Sequence, residues 1–520
     1  MIPCECFDKT LKLEDGIKLI SRIWRPKGEG SWPTLLMRQP YGRHIASTIT
    51  YAHPNWWASN GYMVVIQDVR GQGESEGEFK GFSQEADDTS ATHEWVRSLD
   101  SCNGKLGLYG FSYQGLTQIT GNENSKPPDC LAPAMTGLDI KNHWCSHGNA
   151  FWWQNNIAWA LQLASFKLKR KRDSDGWQQI RMSLENKTYL QEGLSLIKKY
   201  DPDNFVIKWI ELLDKEEIFE EIKTVPSWFR KPMLIYGGLW DPHLTGALDL
   251  YQKSKDYGGD PEIYIGNASH LNWWEGSQET LLSFFDKHLK RETKKGTKSE
   301  KKIWDLTLNH WEDIRDDFIS RQEFTFNSEG SANFETQDGS LSINSEGSGY
   351  FSIVHDPWRP VPSNGGHLGQ NPGLTNRAYI DQRLDVGVFQ TFSLEEDTKI
   401  SGIPVLKTLV FSDLESFDIC LALSFVKNNN SVNQFCTGFL RARNSKRDKG
   451  NFCSIRLQPT NITIKRGDKL RLSISAAAWP AIGVNPGNGE NRNGSLSVFH
   501  KINTLSFDLK NTIMKIEPFF

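Results

Sequence analysis

No apolar run in the sequence approaches the roughly 18 residues that a bilayer-spanning helix needs, which excludes a membrane bundle. An excess of one charge is missing too: 60 Lys and Arg face 63 Asp and Glu, a formal net charge of −3. Such a chain has no field with which to hold nucleic acid or an anionic membrane. Cysteine is sparse and unpatterned. The eight (Cys4, Cys6, Cys102, Cys130, Cys145, Cys420, Cys436 and Cys453) include no C-x2-C pair, and Cys4 and Cys6 lie too close for an easy bridge to each other. Reduced thiols in a cytoplasmic protein are therefore expected. The opening M-I-P-C-E-C-F-D-K-T lacks a basic start followed by an apolar stretch, so no secretory signal is expected. With 43 Gly and 22 Pro in 520 residues the chain is neither collagen-like nor of low complexity, and it has no repeat of fixed period. Aromatic residues, by contrast, are plentiful: 12 % of the chain, 19 of them Trp, which predicts thick aromatic walls.

At about 150 residues per domain the length suggests three or so domains. L-K-L-E-D-G-I-K-L predicts a hairpin across an Asp-Gly turn. The runs P-T-L-L-M-R (Pro33 to Arg38) and G-Y-M-V-V-I-Q-D (Gly61 to Asp68) read as strands buried on both faces. A helical pattern over 84–98, a strand from Lys105 to Gly110 and a helix after Ser112 continue the alternation of a parallel α/β sheet. Between 140 and 230 the strand signal vanishes. There F-W-W-Q-N-N-I-A-W-A-L-Q-L-A-S-F and the stretch around Tyr189–Tyr200 predict amphipathic helices inserted into the sheet. Strands return at Pro232 to Gly238 and Glu262 to Gly266, and the helix L-L-S-F-F-D-K-H-L follows. The Lys-rich stretch 290–302 predicts a solvated linker rather than a nucleic-acid arm. From 303 onward, short strands between Gly, Pro, Asn and Ser clusters predict a β sandwich or jelly roll. The expected fold class is thus α/β: a core over 1–139 and 231–295, a helical cap over 140–230, and an all-β domain over 296–520.

Two serines sit between glycines in the manner of a nucleophile elbow, Ser75 in G-E-S-E-G and Ser112 in G-F-S-Y-Q-G. An elbow needs a strand running into the serine and a helix leaving it, with small neighbours at the sharp turn. Ser112 meets that requirement. Ser75 lies well past the end of its strand at Asp68, and Glu74 and Glu76 would oppose a developing oxyanion. A serine hydroxyl also needs a base, and the base an acid to set its tautomer. The strand Pro232 to Gly238 runs into L-W-D-P-H, placing Asp241 past its C-terminal end, and Glu262 to Gly266 runs into N-A-S-H, placing His270 likewise. Both fall at the sheet edge where open α/β sheets hold ligands, in the chain order Ser, Asp, His. His243 is a rival base, but two residues from the acid it is poorly placed to face it. H-W-C-S-H (His143, Cys145, His147) has poor spacing for a metal on one helix face, and no metal is expected. The aromatic group of Trp144, Phe151 and Trp152 reads either as core of the insertion or as the wall of an apolar acyl pocket.

R-Q-P-Y (Arg38 to Tyr41), Q-D-V-R-G-Q-G-E-S-E-G-E-F, G-F-S-Y-Q-G, W-D-P-H and D-P-W-R-P-V-P-S-N-G-G-H together resemble the cocaine-esterase-like hydrolases, relatives of the X-prolyl dipeptidyl peptidases and α-amino-acid ester hydrolases. The resemblance covers nearly the whole chain. It implies an α/β-hydrolase core, a helical cap, a C-terminal jelly roll and no cofactor. It also implies Ser112 as nucleophile, His270 as base, Asp241 as orienting acid, and an oxyanion hole made by the Tyr113 N–H and the Tyr41 hydroxyl. G-E-S-E-G recurs in the family as a non-catalytic loop. Two departures stand out. The ester hydrolases hold a substrate ammonium with an acidic cluster near the start of the cap, where this chain has Lys141, Asn142 and His143 and only Asp139 is acidic. The first strands also begin by residue 10, with no long N-terminal domain ahead of them.

The expected function is a serine hydrolase of carboxylic ester or amide bonds, acting on a small molecule, without nucleic-acid or membrane partners and compatible with a homo-oligomer. X-prolyl dipeptidyl-peptidase or α-amino-acid ester hydrolase/acylase activity is the alternative within enzymes. A carbohydrate- or surface-binding protein with a vestigial elbow is the alternative outside them.

Overall fold

The structure, a computed structural model, describes residues 2–45, 50–123, 125–290, 299–315, 323–343, 345–446, 449–492 and 500–520. Most of the Lys-rich stretch, 291–298, lies outside the described residues.

The first sheet opens with the expected hairpin of β1 (Cys4–Lys12) and β2 (Lys18–Pro26), antiparallel with Leu11 opposite Leu19. It continues with β3 (Trp32–Gln39), β4 (Met63–Asp68), β5 (Cys102–Phe111), β6 (Cys130–Ala134), β7 (Leu234–Trp240), β8 (Glu262–Ser269), β9 (Lys301–Asp305) and β10 (His310–Asp313). The order across the sheet is β1-β2-β4-β3-β5-β6-β7-β8-β9-β10. Strands β4 to β9 run parallel and the flanking strands antiparallel. All six residues of β4 are buried, as a continuous Val/Ile run covered on both faces requires. Helices α1 (Pro54–Ser59), α2 (Glu85–Arg97) and α3 (Tyr113–Ile119) punctuate the first half of the sheet.

Four helices make up the insertion: α4 (Trp153–Lys171), α5 (Ser174–Glu185), α6 (Tyr189–Tyr200) and α7 (Phe205–Lys215). The side chain of Asn204 caps α7 by accepting the Val206 N–H at 3.0 Å, and Asp173 caps α5 through Gly176 N–H at 2.9 Å. The buried faces of α4, α6 and α7 close on one core containing Trp153, Ile157, Leu196 and Trp209. Beyond it α8 (Leu244–Asp256) and α9 (Ser277–Phe285) return to the sheet.

Strands β9 and β10 extend the α/β sheet beyond residue 295. The linker expected up to 302 thus gives way to a strand at Lys301, because the open edge of β8 pairs with the segment that follows. The remaining chain is β-rich, with one short helix (Ala378–Asp381) among the described residues. Two 15-residue strands, Thr398–Ser412 and Asn503–Glu517, pair antiparallel from Ile403 to Ser412 with a register shift between Lys407 and Leu409. A single apolar cluster joins Val65, Leu108 and Ile263 of the first sheet to Leu406, Ile462 and Phe507 of the second. The insertion is tied to the β-rich domain by main-chain bonds, Trp153 N–H to Ala481 O at 3.0 Å and Arg441 N–H to Gly148 O at 2.7 Å. Among the described residues no helix is long and apolar enough to cross a membrane.

Candidate active site

Strand β5 delivers Ser112 to a sharp turn with φ 57 and ψ −128, and α3 leaves from the next residue. A positive φ at a non-glycine residue costs of order 1–3 kcal/mol and persists only where its surroundings impose it. Here the Ser112 N–H donates to Ala134 O at 2.9 Å, and the neighbouring glycines leave the room. A Cβ on Gly110 (φ 143) would stand 2.5 Å from Gln114 Cβ, and one on Gly115 would stand 2.9 Å from Ala134 O. Ser112 keeps 7 % of its surface accessible. Ser75 differs in kind. It is fully buried, its Oγ donates to Asp68 O at 2.7 Å and accepts the Ile20 N–H at 2.8 Å, and its hydroxyl is consumed in holding the 68–76 loop to β2.

Asp241 and His270 follow β7 and β8, and the structure brings them together. The His270 Nδ1 lies 2.5 Å from Asp241 Oδ2, and Asp241 is fully buried. With Nδ1 engaged by the carboxylate, Nε2 is the ring nitrogen left without that partner. The other oxygen, Oδ1, accepts the His243 N–H at 2.9 Å. His243 therefore helps to hold the acid through its main chain, while its ring turns away and Nδ1 meets His143 O at 2.6 Å. Burial pushes the His243 imidazole down to about 4, leaving it neutral 5.1 Å from the His270 ring. Among the described residues no hydrogen bond joins His270 to Ser112. Its ring stands edge-on to Phe111, the residue before Ser112, with centroids 5.2 Å apart. Catalytic hydrogen bonds are often long before substrate binds.

Tyr41 follows β3 in the R-Q-P-Y stretch. Burial pushes its phenol up to about 12, with Trp159 and Ser112 opposing the rise by hydrogen bonding, so the hydroxyl keeps its proton beside the serine. Tyr113 is fully buried, and its phenol lies 2.7 Å from Glu85 Oε1 and 2.9 Å from Gly81 O. Glu85 in turn pairs with Arg38 at 2.8 Å, both buried. The ion pair thus links the strand leading to Tyr41 with the residue after Ser112. The sequence reading missed Glu85, although R-Q-P-Y already contained its partner.

Of the three candidate pocket residues, Trp144 and Trp152 stand against His243, with ring centroids at 4.5 and 5.6 Å. Trp144 and Phe151 both belong to the core of the insertion, where Phe151 lies 6.1 Å from Trp153. Trp144 also meets Phe82 at 4.9 Å, and Phe82 stacks on Tyr113 at 5.3 Å. Beyond this aromatic wall opens a cavity of about 640 Å³ between the insertion and the 71–83 loop, lined by Phe79, Phe82, Phe205 and Trp209 among others. Phe82 and Phe205 lie outside the aromatic motifs singled out from the sequence. The H-W-C-S-H imidazoles have separate partners: His143 Nε2 meets Asp249 at 2.9 Å, and His147 meets His367 at 3.2 Å. Among the described residues no three His, Cys, Asp or Glu side chains gather as metal ligands.

Residues 15–272 match the family model for X-Pro dipeptidyl-peptidase (S15 family), and 294–512 match that for the X-Pro dipeptidyl-peptidase C-terminal non-catalytic domain. The cocaine esterase of Rhodococcus sp. (strain MB1 Bresler) is 25 % identical over 474 residues, 83 % of this chain and 82 % of that protein. An aminopeptidase from a marine sediment Thaumarchaeota archaeon superposes with a TM-score of 0.73 at 18 % identity, covering 99 % of this chain and 96 % of that one. An α-amino acid ester hydrolase gives 0.71 at 18 % identity, with 99 % and 97 % covered. A CocE/NonD family hydrolase from Staphylococcus aureus gives 0.72 at 16 % identity, with 99 % and 93 % covered. These superpositions show a shared fold.

The buried imidazoles carry a consequence for stability. Burial lowers His93, His243 and His367 below the ordinary histidine value, so the unfolded chain binds protons that the native chain excludes. Their contribution is complete above about pH 6.5, the unperturbed value, and is lost as pH falls below it, for His243 towards about 4. In urea unfolding the midpoint should rise from pH 4 to 6.5 at a constant m-value; a midpoint independent of pH across that window would contradict burial of neutral imidazoles.

Proposed function

Because the chain belongs to the S15 family of hydrolases, enzymes acting on esters or peptides, we propose that it cleaves carboxylic esters through an acyl-enzyme on Ser112. The observation that carries this reading is the Asp241–His270 pair beside a serine held on a strained elbow. Ser112 Oγ attacks the carbonyl carbon while His270 Nε2 takes its proton. Asp241 stabilises the imidazolium and fixes its orientation. Negative charge develops on the carbonyl oxygen, where the Tyr113 N–H and the Tyr41 hydroxyl donate to it. With its phenol pushed up to about 12, Tyr41 donates without ionising at neutral pH. The tetrahedral intermediate collapses, His270 returns the proton to the leaving alcohol, and a water activated by the same imidazole releases the acid.

Ester rather than dipeptide substrates are favoured by what surrounds the site. An ammonium group needs desolvated carboxylates, and the stretch at the start of the insertion presents Lys141, Asn142 and His143, with Asp139 engaged by the Asn142 N–H at 3.0 Å. The aromatic wall of Trp144, Trp152 and Phe82 suits an apolar acyl or leaving group.

Ser112→Ala is expected to abolish both turnover and labelling by a fluorophosphonate, and Ser75→Ala to leave both intact; labelling that survives in Ser112→Ala would refute the nucleophile. Tyr41→Phe should lower kcat by about 10²–10³, the scale for one oxyanion donor, and an unchanged kcat would remove Tyr41 from the hole. Aryl esters should turn over faster than an X-Pro-anilide. The reverse order would make the protein a peptidase.

A further inference from the structure

The acid of the pair is held from two domains. The Asp241 carbonyl accepts the Leu244 N–H at 3.2 Å where α8 begins, and it also accepts Gln458 Nε2–H at 2.7 Å. Gln458 belongs to the β-rich domain, just past the strand Asn451–Arg456, and is 3 % exposed against a fully buried Asp241. Its own main chain is fixed: its N–H donates to Thr437 O at 2.9 Å and its carbonyl receives the Cys436 thiol at 3.0 Å. Two residues earlier, Arg456 O lies 2.7 Å from His147 Nε2 of the insertion. A rigid arm from the second sheet therefore ends in an amide donor on the acid's own backbone.

We propose that Gln458 is a positioning residue for the acid, so that the domain whose family model is called non-catalytic contributes to catalytic geometry. The inference rests on the Ser112–His270–Asp241 reading. The Asp241 backbone is the hinge between β7 and the carboxylate that orients His270. Removing a buried donor from a buried carbonyl leaves the acceptor short of a partner and frees the loop to move. A displacement of about 1 Å in a catalytic constellation costs on the order of 10²-fold in rate. A displaced carboxylate also stabilises less the imidazolium formed as Ser112 gives up its proton, so the acid limb of the pH–rate profile should move to lower pH. A role confined to holding the domains together would change the amount of folded enzyme and leave that limb where it is.

The test uses the full chain with Gln458→Met, which keeps the length of the side chain and removes the donor, and with Gln458→Leu, which also removes it without adding a charge. Fluorophosphonate titration counts active Ser112 in each. In a folded variant kcat for an aryl ester should fall about 10- to 100-fold per titrated site, with KM little changed and the acid limb of the pH profile displaced downward. Wild-type kcat and an unmoved acid limb in either folded variant would overturn the proposal while leaving the triad reading in place. If neither variant folds, Gln458 is a structural residue of the interface and the proposal falls. Absence of labelling at Ser112 in the wild type would remove the triad reading and this inference with it.

Discussion

A carboxylate taken entirely out of water costs several kcal/mol unless hydrogen bonds and an opposite charge replace its hydration. Asp241 is such a group, and its surroundings are arranged around that cost. One oxygen takes the His243 N–H, the other faces the His270 ring, and its carbonyl is held by α8 and by Gln458. When the imidazole gains a proton the buried carboxylate acquires its counter-charge in a region of low dielectric, where the attraction is strongest. The same desolvation keeps the second imidazole, His243, neutral and out of competition for the proton.

Beneath the serine a second buried pair, Arg38 and Glu85, serves the opposite side of the site. Neither group is near solvent, and Glu85 Oε1 also receives the Tyr113 phenol, so the residue after Ser112 is pinned by its ring as well as by its backbone. The strained Ser112 is over-determined in this way: the strand before it, the helix after it and the tyrosine beside it are each anchored independently. The aromatic residues close the rest. Phe82 touches both Tyr113 and Trp144, and Trp144 touches His243, so one continuous wall runs from the elbow to the acid.

The three parts of the chain are therefore not a catalytic unit with appendages. The first sheet carries Ser112, Asp241 and His270, and the insertion carries the aromatic wall beside them. The β-rich domain shares a continuous core with the sheet and reaches the acid through Gln458.

Local pattern made much of this readable in advance. Alternating strand and helix signals located the parallel sheet, the loss of strand signal located the insertion, and a serine at a strand-to-helix boundary could be separated from Ser75, which lacks that boundary. Asp241 and His270 were legible because a position just past a strand end is a local property. Other features had no local signature. The pairing of β9 with β8 depends on an open sheet edge, and the packing of Phe151 in the core of the insertion depends on which face turns inward. Glu85 sits in an ordinary amphipathic helix, and Gln458 in a loop between two strands of another domain. By itself the sequence determined which serine stands at a strand-to-helix turn and in what order the sheet presents Ser112, Asp241 and His270, since strand, turn and helix arise from neighbours along the chain. Only the tertiary structure decided what else holds those residues in place, because a buried charge or carbonyl takes whatever partner the packing brings, and here His270 and Gln458 lie 29 and 217 residues from Asp241 along the chain.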